Sequence, residues 1–187
     1  MARAHEMVTY PLTPGVVAAL AIDYPTAVQM VSPTTIVDWP PADELYAVGL
    51  ANLRADPSPA WQHVGDGPEA FMALLDDSFF TAARLLLLPD GVDLGGAPDA
   101  VVAVPNRHVL LVHPIRDLGV VNAIRDMTAH TSRMFAEGPG SIASDLFWWH
   151  AGALTTLPVS FDGTSAFMVP PDAFVERMSR LDQPGTG

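Results

Sequence analysis

Histidine, serine, aspartate and arginine are the residues of this chain equipped for chemistry, and their spacing narrows what that chemistry is. No cysteine occurs in 187 residues, so disulfides, thiol nucleophiles, iron–sulfur clusters and cysteine-ligated zinc are excluded. His108 and His113 are five apart; on one strand an odd separation points them to opposite faces, where no single ion takes both. No metal site and no cofactor are expected. Ser141, Ser144, Asp145 and His150 crowd the segment GPGSIASDLFWWH. Yet Gly163-Thr-Ser165-Ala-Phe167 lacks the second glycine of a nucleophile elbow. Ser141 and Ser144 read as hydroxyls that cap a turn, and no catalytic residue is assigned. A small hydrolase drawing Ser, His and Asp from 141–150 is the competing reading. Gly91 to Gly96 lacks the spacing and the lysine of a phosphate loop.

The remaining candidates are charged. Asp76 and Asp77 precede an apolar segment, Phe79 to Leu88, whose one charge is Arg84. A guanidinium there needs a carboxylate, because burying it alone costs several kcal/mol, so Arg84 is predicted to pair with Asp76 or Asp77. Arg107 follows Pro105-Asn106, where a turn is required but a guanidinium is not. Asn106, Arg107 and His108 are therefore assigned to binding, since a fixed Arg grips carboxylates and other anions. Arg125, His130 and Arg133 join them on the outer face of a later helix.

The element that must position these residues is Asp99 to Pro114, DAVVAVPNRHVLLVHP. Two β-branched runs, 100–104 and 109–112, flank the Pro-Asn-Arg-His break, which predicts a hairpin. Both runs are apolar at consecutive positions, so both faces of the hairpin are expected to be covered. Around it the pattern predicts helices over 15–22, 41–55, 79–88, 117–136 and 170–181, and a helical turn over 71–75. Strands are predicted over 26–31, 61–65, 147–149 and 154–159. Trp148 and Trp149 face opposite ways as adjacent strand residues, so one is expected in the core and the other outward or at an interface; two core roles, or one core role and one dimer contact, are preferred to a ligand platform. Together these predict an α+β fold with a largely antiparallel sheet built on the central hairpin. One domain is expected over 13–182, with a loose start at 1–12 and a frayed tail at 183–187.

Composition sets the wider bounds. Apolar residues make up 49% and charged residues 16%, which excludes disorder as the ground state. Nine arginines, no lysine and 21 acids give a net charge of −12, and this bias resembles that of a high-GC bacterial genome. Nine scattered arginines supply no basic stripe, so nucleic acid is not the expected partner. No apolar run is long enough to span a bilayer and no signal peptide is legible, so a cytoplasmic location is expected.

The helix DELYAVGLANLRA, the segment ARLLLL and the hairpin VVAVPNRHVLLVHP together resemble the YtpQ-like family of uncharacterised bacterial proteins. The matching positions are Glu44, Leu45, Asn52, Leu53, Leu86, Leu87, Pro105, Arg107, Leu110 and Leu111. His108 departs from the acid usual in that family. The resemblance implies no activity, cofactor or catalytic residue. The function expected is that of a binding or regulatory module acting on a protein partner, with a homodimer as the other assembly to test.

Overall fold

The computed structural model describes residues 7–88 and 90–181. Residues 1–6, Pro89 and residues 182–187 lie outside them, and with them the frayed tail expected at 183–187. The chain forms two compact units, Met1–Ser58 and Pro59–Gly187, with the boundary in the Asp56-Pro57-Ser58-Pro59 segment.

In the first unit, β1 (Thr9–Thr13) pairs antiparallel with β2 (Val16–Ala19), and β3 (Ala21–Tyr24) with β4 (Ala27–Met30). The helix expected over 15–22 is not formed. Gly15 takes a φ of +85°, a left-handed conformation suited to a tight turn, and the β-branched Val16 and Val17 continue as strand. The start expected to be loose is likewise ordered from Thr9 onward. The helix α1 (Ala42–Ala55) forms as predicted: Asp43 and Glu44 favour its dipole, and the N–H of Asp56 closes it on the Asn52 carbonyl. Tyr10 packs its ring 4.2 Å from that of Tyr46 and donates its hydroxyl to the Ala42 carbonyl.

The second unit is built on a six-stranded antiparallel sheet of order β10-β9-β7-β8-β6-β5. Its strands are β5 (Gln62–Val64), β6 (Phe71–Leu75), β7 (Asp99–Ala103), β8 (Val109–Pro114), β9 (Leu146–His150) and β10 (Ala153–Leu157). The expected hairpin is the pair β7–β8 at its centre, buried at every position. Phe71–Leu75 is a strand rather than a helical turn. Its five residues are too short to choose by period alone, and pairing with β8 decides. The helix expected over 79–88 is a 3₁₀ helix, Ala82–Leu87, lying against β8.

One sheet face carries Phe71, Ala73, Val101, Ala103, Leu111, Leu146 and Trp148. It is covered by Val120, Ile124 and Met127 of α2 (Val120–Glu137) and by Phe174 of α3 (Asp172–Leu181). The opposite face carries Leu74, Val102, Leu110, Phe147 and Trp149, all buried too. Trp148 and Trp149 point to opposite faces and both are buried, the two core roles among the alternatives. A short hairpin, β11 (Val159–Phe161) with β12 (Ala166–Met168), packs beside α2. No helix among the described residues is long and apolar enough to cross a membrane.

Candidate functional site

The hairpin tip is held in place by its own residues. Asn106 is 3% exposed. Its side-chain nitrogen donates to the Met134 carbonyl at 3.0 Å, and its oxygen accepts the His108 N–H at 3.0 Å. Arg107 donates its backbone N–H to the Gly140 carbonyl, and its own carbonyl accepts the Ala82 N–H. The Arg107 Nε donates to His108 Nε2 at 2.9 Å, while His108 Nδ1 meets the Asp76 carbonyl at 3.0 Å. With Nε2 accepting, the imidazole proton sits on Nδ1 and is donated to Asp76. The guanidinium then lies over the Phe79 ring, 5.1 Å from its centroid. Among the described residues, no protein acceptor takes its two terminal nitrogens.

The other candidates are placed differently. Arg125 pairs with Asp126 at 3.0 Å and Arg133 with Glu137 at 3.9 Å along the exposed side of α2. His130 is half-buried with its ring edge-on to Phe71 at 5.6 Å. Arg84, expected to pair with Asp76 or Asp77, is buried. Both carboxylates are exposed after the end of β6, whereas Arg84 sits inside the 3₁₀ helix. His113 is buried on β8 and its Nδ1 donates to the Ala70 carbonyl at 2.9 Å. Burial pushes its pKa down, and Arg116 adds to this, while the Ala70 bond and Asp117 act in the opposite sense. No cluster of metal-ligating side chains occurs among the described residues.

The 141–150 segment is drawn out rather than gathered. Ser141 donates its hydroxyl to the Phe135 carbonyl at 2.7 Å, and Asp145 accepts the Val159 N–H at 3.1 Å. Strand β9 then runs extended, so that Leu146 and His150 alone are about 13 Å apart at roughly 3.3 Å per residue. His150 meets an aspartate, but it is Asp99.

Asp99 opens β7 directly opposite His150 on β9. The strand period of two places Asp99, Trp148 and His150 on the sheet face that α3 covers. The Asp99 carboxylate is wholly buried. One of its oxygens accepts a hydrogen bond from His150 Nδ1–H and the other accepts one from Arg177 Nε–H of α3. This pairing is what makes burying the charge tolerable. The His150 ring stacks on Trp148 at 5.0 Å and 18°, and Phe174 meets Trp148 edge-on at 5.5 Å. His150 keeps 51% of its side chain exposed and Arg177 keeps 20%. Neither Asp99 nor Arg177 was singled out above as a site residue. The available signal was an acid leading a fully apolar strand, a position that burial allows only with cationic or donor partners.

The chain matches no protein-family profile, no curated protein and no solved structure.

Proposed function

We propose that the chain is a bacterial, cytoplasmic binding or regulatory module that acts through protein–protein contacts without a cofactor, and that Arg107 is its recognition residue. One observation carries this reading: Arg107 is pre-ordered but not used up. Its backbone is fixed on both sides, its Nε is braced on His108 and its plane rests on Phe79, while its terminal nitrogens have no acceptor among the described residues. An arginine already held in one geometry loses little side-chain entropy on meeting a partner carboxylate, which leaves more of the contact energy for affinity. Affinity capture from the native host with the parent chain and with Arg107→Ala, at matched melting temperature, tests it. A partner enriched by the parent and lost with Arg107→Ala is the expected outcome; identical captured sets overturn it.

A second reading, hydrolysis, draws support from His150 seated on Asp99, the carboxylate–imidazole pairing used in general base catalysis. Turnover of an activated ester that disappears in His150→Gln supports it, and turnover unchanged in that variant removes it.

A further inference from the structure

The Asp99 cluster lies at the opposite end of β7 from the hairpin tip and is independent of the Arg107 reading. We propose that Arg177 and His150, held side by side on the buried Asp99 carboxylate, form a binding site for a phosphoryl group. The cluster is built in layers. At the bottom Asp99 is inaccessible, with both oxygens engaged. Above it, Trp148 fixes the plane of the His150 ring, and a two-residue turn, Ala151-Gly152, fixes the backbone that follows. At the top are the groups left over. Arg177 spends Nε on Asp99 and keeps two terminal nitrogens, and His150 spends Nδ1 and keeps Nε2; none of these has a protein partner among the described residues.

The donor geometry selects the ligand. The Asp99 carboxylate and the Arg177 guanidinium cancel in charge, and what is left is a planar pair of guanidinium nitrogens beside one imidazole nitrogen. A carboxylate has two oxygens, and the planar pair alone uses both. A phosphoryl group carries a further terminal oxygen out of that plane. His150 Nε2 meets that oxygen. The other phosphoryl oxygens accept from the Arg177 terminal nitrogens, the planar donor pair suited to phosphate. Two sources offer this chemistry, a free small phosphate and a phosphorylated side chain of a partner protein.

The test is an NMR titration of the full chain, following the His150 imidazole nitrogens, with inorganic phosphate, a phosphoserine peptide, its unphosphorylated counterpart and acetate. Expected is a saturable response to phosphate, to the phosphopeptide or to both, with acetate and the plain peptide without effect. Tighter binding of the phosphopeptide assigns the site to a phosphorylated partner; equal or tighter binding of inorganic phosphate assigns it to small phosphates. His150→Gln, at a half-exposed position where the fold should survive, should weaken binding about tenfold, as for one lost charge-assisted hydrogen bond. Arg177→Lys, checked for an unchanged melting curve, should weaken it as well, because the planar donor pair is lost. No saturable response from the folded parent, acetate binding as tightly as phosphate, or undiminished binding in folded His150→Gln each overturns the proposal.

Discussion

Asn106 at the tip of the central hairpin donates its side-chain N–H to the Met134 carbonyl in the last turn of α2 at 3.0 Å. The carbonyls at a helix C-terminus lack partners within the helix, and this bond supports that end from outside. The N–H of Gly138 donates to the same carbonyl at 2.9 Å. Tip and helix end are therefore one structure, which holds the backbone that carries Arg107 in place.

Gly138 has a consequence that can be measured. A Cβ there would lie 2.1 Å from the Asn106 side-chain nitrogen and 2.5 Å from the Met134 carbonyl oxygen. Gly138→Ala must displace Asn106, leaving buried polar groups unpaired, and is expected to cost about 1–3 kcal/mol. Asn106→Ala should cost a similar amount. The double variant should cost less than the sum, because both changes break the same contact. Urea denaturation of the three variants checks it, and strict additivity would separate the two residues.

The centre of the sheet gives a harsher outcome. Val102 and Leu110 have no exposed surface and lie on the face opposite α2. Val102→Asp or Leu110→Asp puts a carboxylate into the apolar centre of the sheet, enough to remove most of a stability of about 5–15 kcal/mol. Soluble expression with a cooperative melting transition in either variant would show that this face is open to solvent.

Legibility in the sequence followed the reach of the interactions. The hairpin β7–β8 was visible because consecutive β-branched residues on both strands have one physical reading, cover on two faces. α1 and α2 were visible because a period of 3.6 is repeated over several turns. Phe71–Leu75 was misread because five apolar residues carry no period, and only the partner strand β8 makes them a strand. The helix expected over 15–22 does not form because Gly15 turns the chain in the left-handed region and Val16 and Val17 pair with β1. Arg107 is conspicuous in the sequence as a cation after a Pro-Asn turn. Asp99 and Arg177 stand 78 positions apart, and nothing local to either announces the other; the pair exists only once α3 is laid on the sheet.

The turn that follows His150 should be improvable. Ala151 holds a φ of +49° and Gly152 one of +79°, the left-handed pair of a two-residue hairpin turn that favours Asn-Gly. Alanine is strained there, as its Cβ crowds the following carbonyl. Ala151→Asn is expected to stabilise the chain by about 0.5–1 kcal/mol, a rise of roughly 1–4 °C in melting temperature. A lower melting temperature for Ala151→Asn would contradict the left-handed turn.

His113 should make stability depend on pH in a definite direction. Its pKa in the folded chain is lowered from 6.5, chiefly by burial on β8. Between that lowered value and 6.5 the unfolded chain binds a proton that the folded chain does not, so stability rises with pH across the window. Above 6.5 the full contribution of the neutral, Ala70-bonded imidazole is present. As pH falls through 6.5 toward the folded value, that contribution is progressively lost. In His113→Gln the residue cannot titrate, although a side-chain N–H can still reach the Ala70 carbonyl. The parent is therefore expected to lose more stability than His113→Gln between about pH 7.5 and pH 5, with the stability gap between the two proteins narrowing or reversing at the acid end. Urea denaturation of both proteins at several pH values measures that gap directly. A gap constant across the window would mean that His113 titrates alike folded and unfolded, and that its burial on β8 does not hold it neutral.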